Sequence, residues 1–461
     1  MAIIFDGVRL INPAESIDSL GCVRISHEGV ITDIRLGRGG FAQELAQTDD
    51  LIYDFTHRGG EVLFASGLFD MHCHFRQPGF EYKETLETGK NAAIAGGFTG
   101  VALMPNTEPP IDNAQNAAFI YHLTHQFPIE TSVIGAITEG RKGQKICGYG
   151  DLSTVGVTAI SDDGSPVMNS RTMRMAFEYA TAFDMLVIQH CEDTCLAESG
   201  VMNEGVYSSI LGLRGIPSIS ESIILSRDLS LLRYLSDKKK SVFPNAPRYH
   251  VAHISTAEGI KLVKEAKSEG LCVTAEVTPH HFTLTERDVF ESGFDGNFRM
   301  NPPLRSERDK EAILEAIETG VIDVIATDHA PHAPHEKECG IMQAAFGIVG
   351  LETAVGLSWT ELHFKRGISH AQIVSMLSSA PRALLKLPAI SFRKGALANF
   401  SLIDTAIEYL ALNSSFQSKS KNSPFNGRKL RGKAIAIGSK GVFLKDDTLF
   451  SSSAKIHQFK P

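Results

Sequence analysis

The middle of the chain alternates eight short apolar runs with segments of helical periodicity, and this alternation limits its possible folds more than any other feature. Residues 83–97, 171–183, 256–270 and 309–320 are amphipathic at the helical period. Eight strand-then-helix units predict a (β/α)8 TIM-like barrel of parallel strands. The eight runs are LFDMHCHF, TGVALMPN, TSVIGAIT, VTAISDDG, MLVIQHCED, YHVAHIST, CVTAEVTPHH and DVIATDHAPH.

A doubly wound open sheet is the alternative architecture for alternating strands and helices. Such a sheet ordinarily carries a glycine-rich phosphate loop after its first strand. The sequence has no such loop, so we favour a barrel spanning residues 67–387.

Both ends of the chain contain short β-like stretches separated by turn signals such as Asn-Pro and Gly-Gly. Because the two ends are similar in this respect, we expect residues 1–66 and 388–461 to form one small β-sandwich domain. The loop SKSKNSPFNGRKLRG, residues 418–432, is basic, and we interpret it as a solvated surface loop.

The composition narrows the class of protein. The chain has 461 residues, of which 43% are hydrophobic, enough for a large core. A net charge of -8 argues against nucleic-acid binding, and no apolar stretch is long enough to span a membrane. The seven cysteines form no paired framework and the first residues lack signal-peptide order, so we expect a cytoplasmic protein.

Chemically reactive side chains follow nearly every predicted strand. In a barrel the carboxyl ends of all strands meet at one rim, where active sites lie. So many buried polar groups would be costly without partners or a metal. The side chains are His72, His74, Asn106, Asp162, Asp163, His190, His253, His280, His281, Asp328 and His329.

The first run indicates how a metal could be held. In FDMHCHF, residues 69–75, apolar residues alternate with Asp70, His72 and His74, which predicts one polar face of a strand. Two imidazoles at positions i and i+2 lie about 6–7 Å apart along a strand and can share one ion. Imidazole and carboxylate ligands suit zinc and related metals, although ligand type alone does not fix the metal.

The number of suitable ligands exceeds what one tetrahedral ion needs. Two ions about 3.5–4 Å apart, bridged by a carboxylate, would use all of them, lower the pKa of a bound water and polarise a carbonyl. We therefore expect metal-assisted hydrolysis of an acyl or amide bond, or its reverse, with two zinc ions per chain or, alternatively, one. The candidate ligands are His72, His74, Asp163, His190, His253 and Asp328.

The chain carries, in this order, the motifs HCHFRQPGFEYKE, MPNTEPP, SDDGSPVM, QHCED, HVAHIST, RMNPPLR and ATDHAPH. Together they resemble those of the dihydroorotase family, of the long bacterial type within the amidohydrolase superfamily. The resemblance implies reversible cyclisation of N-carbamoyl-L-aspartate to L-dihydroorotate in de novo pyrimidine biosynthesis. It also implies a (β/α)8 barrel, a binuclear zinc centre and a β-sandwich made from both chain ends.

The resemblance assigns a role to each ligand. It implies that His72 and His74 bind the more buried metal, that His190 and His253 bind the other, and that Asp328 is both a ligand and the catalytic acid/base. A metal-bound hydroxide would attack the ring amide carbonyl, and Asp328 would carry the proton to the leaving nitrogen.

The bridging ligand is the position where members of the superfamily differ. Many hold a carboxylated lysine after the fourth strand, whereas this chain reads SDDG with no lysine nearby. This resembles the branch in which an aspartate bridges the ions. The spacing of 27 residues between Asp163 and His190 (190 − 163) favours Asp163, with Asp162 as the alternative.

The resemblance also implies a set of substrate contacts. Arg76, Asn106 and His332 would hold the substrate carboxylate, for which a guanidinium fork is suited. Asp70 would orient a ligand histidine, and His280 and His281 could either orient a ligand or simply pack. The predicted substrate-binding residues are His74, Arg76, Asn106, Asn301, His332, Phe346 and Gly347.

Two alternative functions stay open at this point. A related cyclic amidohydrolase, such as a dihydropyrimidinase, hydantoinase or allantoinase, would act on cyclic ureides without the exocyclic carboxylate and would commonly carry the bridging lysine. A non-catalytic dihydroorotase-like scaffold for aspartate transcarbamoylase would have lost metal ligands, whereas every ligand position is filled here. The sequence leaves a homodimer and an association with a transcarbamoylase open.

Overall fold

The computed structural model describes residues 2–237, 245–446, 450 and the backbone of 455–458. The strands of the N-terminal part are β1 Ile3–Asn12, β2 Ile17–Ile25, β3 Ile31–Leu36, β4 Leu51–Asp54 and β5 Val62–Ser66. The middle of the chain contains β6 Leu68–Cys73, β7 Phe98–Leu103, β8 Glu130–Val133, β9 Ala159–Ser161, β10 Leu186–Gln189, β11 Met202–Asn203, β12 Gly215–Ile216, β13 Arg248–Val251, β14 Val273–Val277 and β15 Val324–Ile325. The C-terminal strands are β16 Phe400–Leu410, β17 Lys429–Ser439, β18 Val442–Lys445 and β19 Lys455–Gln458.

The described α-helices, with the exception of α1, lie in the part of the chain between β6 and β16. They are α1 Ala42–Leu45, α2 Leu86–Ala95, α3 Ala114–Thr124, α4 Tyr149–Thr154, α5 Ser170–Ala182, α6 Thr194–Ala197, α7 Val206–Leu211, α8 Ile219–Ser236, α9 Ala257–Ser268, α10 Glu286–Glu291, α11 Glu307–Glu318, α12 Pro334–Lys337, α13 Leu351–Ser358, α14 His370–Val374 and α15 Ala380–Leu384. Two π-helical segments, Trp359–Phe364 and Ser375–Ser379, continue α13 and α14.

Eight parallel strands form a closed barrel. β6, β7 and β8 make one sheet, and β9, β10, β13, β14 and β15 make the other. Parallel bridges between Gly135 and Ile160 and between Cys73 and His329 join the two sheets at both edges. Each of the eight apolar runs overlaps one of these strands, so the predicted barrel is confirmed.

The barrel helices follow from the amphipathic segments. Helices α2, α5, α9 and α11 coincide with the four predicted ones. Their N-caps are Thr85, Asn169, Thr256 and Ser306, whose side chains accept hydrogen bonds from backbone N–H groups of the first turn. Such caps satisfy donors that would otherwise lack a partner and fix where each helix begins.

The two chain ends fold into one β domain, as predicted. β1–β5 and β16–β19 join a mixed sheet of nine strands in which β5 pairs with β16 and β1 pairs with β2, β4 and β5. This sheet encloses an aromatic core in which the rings of Phe64 and Phe400 stack at 4.2 Å. Phe5 packs on both, with centroid distances of 5.7 and 5.4 Å.

The expected domain boundaries fall in connections between secondary-structure elements. β5 ends at Ser66 and β6 begins at Leu68. Near the other boundary Leu385 packs in the barrel, whereas Ile390 packs in the β domain. These positions support the boundaries 66/67 and 387/388, which stay a prediction.

The basic loop at residues 418–432 is not the solvated loop that we expected. Ser418, Ser420 and Asn422 are buried, with 0–5% of their surface exposed. Ser418 Oγ donates to the Glu84 carboxylate and Lys419 N donates to Glu84 at 2.9 Å, so this loop reaches from the β domain to the barrel. Its lysines stay in solvent while the polar residues between them are buried.

Two expectations concern residues that are only partly described. We expect residues 236–249 to form a longer loop before the sixth barrel strand and residues 448–452 to be β-like. Residues 238–244, which are half of that loop, and all of 448–452 except Phe450 lie outside the described residues. Among the described helices, none combines the length and the apolar character needed to cross a membrane.

Candidate metal and substrate site

The six predicted metal ligands lie together at the carboxyl ends of the barrel strands. All are almost completely buried, with 0–7% of their surface exposed. Each follows, or ends, a different strand except for the His72 and His74 pair of β6. The six are His72 and His74 at β6, Asp163 after β9, His190 after β10, His253 after β13 and Asp328 after β15.

Asp163 lies between the two groups of histidines. Its Oδ2 is 3.5 Å from His74 Nε2, and its Oδ1 is 3.5 Å from His72 Nε2 and 3.3 Å from His253 Nε2. The ligand atoms of His72, His74 and Asp163 lie within 4.8 Å of one another, and so do those of Asp163, His190 and His253. A carboxylate shared by two such groups has the geometry of a bridging ligand.

Asp162 is used in a different way. Its carboxylate accepts hydrogen bonds from Ile137 N at 2.8 Å, Thr138 N at 3.0 Å and the Thr138 hydroxyl. Burial raises the pKa of Asp162 to about 6, against the opposing effect of these hydrogen bonds. The arrangement supports Asp163 rather than Asp162 as the bridge, and places Asp162 as an anchor for the loop after β8.

Asp328 faces the first pair of histidines. Its Oδ1 lies 3.0 Å from His74 Nε2 and 3.6 Å from His72 Nε2. Burial would raise the pKa of this carboxyl, but the hydrogen bond to His74 and the nearby imidazoles hold it well below the usual value. Asp328 is therefore a carboxylate that can bind a cation or accept a proton.

The donor set fits a divalent metal. His72 Nε2 is buried without a hydrogen-bond partner in the structure, although it faces the carboxylates of Asp163 and Asp328 at 3.5 and 3.6 Å. A buried imidazole nitrogen without a partner is costly, and a metal ion would relieve that cost. Imidazole and carboxylate donors at these distances suit zinc or a similar ion.

Glu276 is a functional residue that the sequence reasoning missed. Its Oε1 lies 2.5 Å from His72 Nδ1, and its Oε2 lies 3.2 Å from His250 Nε2. Burial would raise its pKa, but the charges of His72 and His250 lower it to about 2. A carboxylate on the second nitrogen of a ligand histidine fixes the tautomer of that histidine. The available signal was a lone acidic residue inside the apolar run CVTAEV.

Asp70 does not have the contact that we expected. Its Oδ1 accepts hydrogen bonds from His72 N at 3.3 Å and Thr327 N at 3.0 Å, and its Oδ2 accepts from Thr327 Oγ1 at 2.5 Å. It therefore links the backbones of the first and eighth strands, while Glu276 orients the His72 ring. The β6–β7 pairing also shifts register between Asp70 and Cys73, so simple alternation does not describe this strand end.

Two residues of the predicted carboxylate clamp, Arg76 and His332, lie next to each other and close to the candidate metal ligands. Arg76 Nε donates to Pro331 O at 3.1 Å, and its Nη2 is 3.3 Å from His332 Nε2. Among the residues that the structure describes, no carboxylate forms an ion pair with Arg76, although only 9% of its surface is exposed. Burial lowers the pKa of Arg76 to about 10, so the group remains a cation at neutral pH.

The predicted clamp is not one cluster. Asn106 contacts His74 instead, with its Oδ1 2.7 Å from His74 Nδ1. The amide oxygen of Asn106 thus orients a ligand histidine, which leaves its NH2 group for a substrate. Arg76 and His332 are brought together directly, whereas Asn106 joins them only through the ligand group.

His332 is tied to the backbone of the predicted ring-binding segment. Its Nε2 donates to Phe346 O at 2.8 Å. Burial, with the positive charge of Arg76, lowers the pKa of His332 to about 2, so the imidazole is neutral. Gly347 has a φ of +126°, and a Cβ there would lie 2.6 Å from that of Ala330, so the position requires glycine.

Asn301 is fixed by an acidic residue that the sequence reasoning did not select. Asn301 Nδ2 donates to both carboxylate oxygens of Glu192, at 3.0 and 3.1 Å, and lies 3.4 Å from His190 Nε2. Glu192 Oε2 is itself 3.4 Å from His190 Nε2. Glu192 lies two residues after a ligand, inside QHCED, which was the available signal.

The neighbouring histidines His280 and His281 differ in their contacts. His281 is packed and hydrogen-bonded, with Nδ1 2.8 Å from Thr278 Oγ1 and Nε2 3.0 Å from Pro302 O. His280 Nε2 is buried and has no hydrogen-bond partner among the described residues. Burial lowers the pKa of His280 to about 4, although the charge of Asp328 acts in the opposite direction. His280 is thus a neutral imidazole within electrostatic reach of the ligand group.

Comparison with solved structures identifies the fold. An L-hydantoinase (dihydropyrimidinase) from Arthrobacter aurescens superposes with a TM-score of 0.79 at 21% identity, covering 96% of each chain. A dihydropyrimidinase from Brevibacillus agri NCHU1002 superposes with a TM-score of 0.77 at 19% identity, covering 96% of this chain and 95% of that one. At this identity the likeness describes the architecture alone.

Comparison of sequences identifies the family. A family model described as dihydro-orotase-like matches residues 60–259. A dihydroorotase of Chlorobaculum tepidum is 51% identical over 95% of this chain and 98% of its own length. A dihydroorotase of Pelotomaculum thermopropionicum is 46% identical over 81% and 86%. With this identity over nearly the whole chain, and with the ligand group at the barrel rim, the chain belongs to the dihydroorotase family of cyclic amide hydrolases.

Proposed function

We propose that this chain interconverts N-carbamoyl-L-aspartate and L-dihydroorotate in pyrimidine biosynthesis. The observation that carries the proposal is Arg76, a buried guanidinium without a carboxylate partner among the described residues, next to the ligand group. A buried cation of this kind needs an anion. The carboxylate of dihydroorotate supplies one, whereas a simple cyclic ureide does not.

We propose zinc as the metal, with two ions per chain. Bound here, they would activate a water molecule and polarise the amide carbonyl. The donor types and the carboxylate shared by the two ligand groups support this choice. One ion would be held by His72, His74, Asp163 and Asp328, and the other by Asp163, His190 and His253.

Asp328 moves the proton in this proposal. In hydrolysis it accepts a proton from the attacking water and delivers it to the ring nitrogen as the C–N bond breaks. In cyclisation it accepts a proton from the carbamoyl nitrogen as the new C–N bond forms and water leaves. Because His74 Nε2 contacts Oδ1 of Asp328 at 3.0 Å, we assign the transfer to Oδ2.

The remaining predicted residues bind and orient the substrate. Arg76 donates to its carboxylate from one side, with His332 lying against the guanidinium, and the NH2 group of Asn106, whose amide oxygen contacts His74, donates to it from the other. Asn301 and the backbone at Phe346–Gly347 contact the ring. The contact between His332 Nε2 and Phe346 O at 2.8 Å supports this assignment, because it fixes clamp and ring segment relative to each other.

A paired measurement on the purified protein tests the proposal. Metal content per chain is determined together with turnover of L-dihydroorotate and of dihydrouracil, which lacks the carboxylate. About two zinc ions and activity on dihydroorotate alone are the expected result. A preference for dihydrouracil would move the protein to the cyclic ureide hydrolases, and metal without either activity would favour a scaffold.

A substitution at Arg76 tests whether this residue binds the substrate carboxylate. Arg76→Lys keeps the charge but removes the planar fork, so KM for dihydroorotate should rise at least about 10-fold. Arg171→Lys, on the exposed face of α5, is the matched control and should leave KM unchanged. An unchanged KM in Arg76→Lys would remove Arg76 from the clamp.

We further propose that the protein acts in the cytoplasm as a homodimer, and that it can associate with an aspartate transcarbamoylase. All seven cysteines are described and unpaired, which supports a reducing compartment. The exposed apolar side chains of Val206 and Ile210, at 69% and 62% exposure, support an association surface. Light scattering of the protein alone, and then mixed with a transcarbamoylase, separates these possibilities.

A further inference from the structure

The loop between β16 and β17 lies against the mouth of the barrel, although it belongs to the other domain. Within it, Ser420 Oγ donates to Lys83 O at 2.6 Å. Glu352, at the start of α13, accepts from Gln417 N and Ser418 N at 2.8–3.0 Å. These contacts hold the loop at the level of the substrate clamp.

Asn422 makes the deepest contacts of this loop. Its Nδ2 donates to Ala330 O at 3.1 Å and to Gly347 O at 3.0 Å. Its Oδ1 accepts from His332 N at 3.0 Å. Asn422 is 5% exposed, so both N–H groups and the carbonyl oxygen of the amide have partners within the protein. Only a planar amide offers two donors and an acceptor in this arrangement.

These bonds connect two segments of the long connection between β15 and α13. Residues 330–332 come after β15, and residues 346–349 precede α13. His332 Nε2 donates to Phe346 O at 2.8 Å, and Val349 N donates to Asn422 O at 2.9 Å. The side chain of Asn422 therefore closes a ring of hydrogen bonds through His332, Phe346 and Gly347.

A second buried side chain reaches the same carbonyl. Lys337 Nζ donates to Gly347 O at 2.9 Å, and also to Arg299 O at 3.0 Å and Ala345 O at 2.7 Å. Gly347 O is thus held by Lys337 from the barrel and by Asn422 from the β domain. Two independent donors on one carbonyl leave this backbone little freedom.

We infer that Asn422 is a positioning residue for the substrate clamp, supplied by the β domain. It does not touch the metal ligands or the reacting atoms. Instead it fixes the backbone of His332 and of Gly347, and with them the position in which His332 lies against the guanidinium of Arg76. The inference rests on the proposed function, because it takes the clamp at Arg76 and His332 as given.

The test compares three variants of the full-length protein. Asn422→Ala leaves the partners at Ala330, His332 and Gly347 without a hydrogen bond. Asn422→Asp keeps the shape and the acceptor but places a carboxylate against two carbonyl oxygens. Gln417→Ala is the matched control, because Gln417 is exposed and, within the part of the chain that the structure describes, its side chain bonds only to Ser415 O, at 3.4 Å. Circular dichroism and metal content establish that each variant is folded and loaded.

The expected readout is a split between KM and kcat. Both Asn422 variants should raise KM for dihydroorotate about 10-fold, with kcat changed less than about 3-fold and metal content as in the wild type. Gln417→Ala should behave as the wild type. In a His332→Ala background the effect of Asn422→Ala on KM should largely disappear, because the clamp through which it acts is already broken.

Other outcomes would overturn the inference. A wild-type KM in folded Asn422→Ala or Asn422→Asp would mean that the hydrogen bonds do not position the clamp. Loss of metal, or an equal effect in the His332→Ala background, would assign Asn422 a purely structural role. If Asn422→Ala does not fold, the isosteric Asn422→Asp decides. An active wild type with unaffected variants contradicts this inference alone, whereas an inactive wild type contradicts the proposed function as well.

Discussion

Three residues of the site have left-handed backbone conformations that side chains rarely adopt. Arg76, His253 and Asp328 have φ values of 58°, 30° and 47°. Each follows a barrel strand. Each such conformation costs about 1–3 kcal/mol and persists only where the surrounding structure enforces it. At the rim these three conformations turn the side chains toward the barrel mouth, and they lower the stability of the fold.

At this scale the strongest prediction concerns Asp328. Asp328→Asn keeps the size of the side chain but removes its ability to accept a proton, so kcat should fall at least about 100-fold while most of the metal is retained. Turnover of dihydroorotate and metal content per chain are the measurements. Retention of more than a tenth of the activity would exclude Asp328 as the acid/base.

The same strand provides the matched control. Asp323 precedes β15 at the opposite end and pairs with Lys267 at 2.7 Å. Residues at the amino-terminal side of barrel strands contribute to stability rather than to catalysis. Asp323→Asn should therefore lower the melting temperature while leaving kcat close to that of the wild type.

The grouping of the candidate ligands at the strand ends was predictable from the sequence, whereas the residues that contact and orient them were not. Reactive side chains at strand ends follow from the barrel geometry, and the spacing to His190 favoured Asp163. Glu276 contacts His72 across 204 residues of chain, and Glu192 contacts His190 across 2. No periodicity predicts the contact between Glu276 and His72, because it joins β14 and β6, which are not neighbours in the barrel.

At the scale of elements, the π-helical segment after α13 packs against a buried histidine, His370, at the start of α14. Trp359 Nε1 donates to His370 Nδ1 at 3.1 Å, and the ring of His363 stacks on His370 at 3.9 Å. Burial lowers the pKa of His370 to about 4, with further lowering by His363 and Arg9 and an opposing effect of Asp18. The neutral imidazole is therefore part of the folded state.

The buried, neutral imidazole of His370 predicts that the stability of the protein depends on pH. Between pH 6.5 and 4 the unfolded chain binds a proton at His370 that the folded chain does not, so acidification lowers the free energy of unfolding. His370→Asn keeps an acceptor for Trp359 but cannot be protonated. Its free energy of unfolding should fall less steeply between these pH values in denaturant titrations. Parallel curves for the two proteins would contradict the assignment.

The misjudged loop at 418–432 shows where element prediction fails. Lys419 and Lys421 are exposed, and they alternate with Ser418, Ser420 and Asn422, which are buried. The period of two is that of a strand face, but both faces are polar. Hydrophobic patterning cannot detect burial that is stabilised by hydrogen bonds, whereas the apolar runs of the barrel are detected by it.

At the scale of the whole molecule, one aromatic core joins the two ends of the chain. Phe5, from β1, is 1% exposed and contacts Phe64, Phe400 and Phe443. β5 pairs with β16 in an antiparallel ladder from Val62 to Ser66. The β-like stretches at both ends of the chain predicted that the ends fold together. The pairing of β1 with three other strands could not be inferred from local sequence.

Removing the central ring should destabilise the β domain. Phe5→Ala should lower the free energy of unfolding by about 3–5 kcal/mol, the usual cost of a large cavity. Phe119→Ala, at a site 49% exposed, is the control and should cost less than about 1 kcal/mol. Chemical denaturation measures both. A cost below that of the control would mean that the core repacks around the missing ring.

The bridge between Cys73 and His329 closes the barrel across more than 250 residues of chain. His72 and His74 leave the ribosome early in synthesis, whereas Asp328 follows far later and Asn422 later still. A growing chain consequently displays a strand with two histidines long before it can complete the binding site. The full set of candidate metal ligands therefore exists only after translation has passed residue 328. A prematurely released chain lacks part of this set.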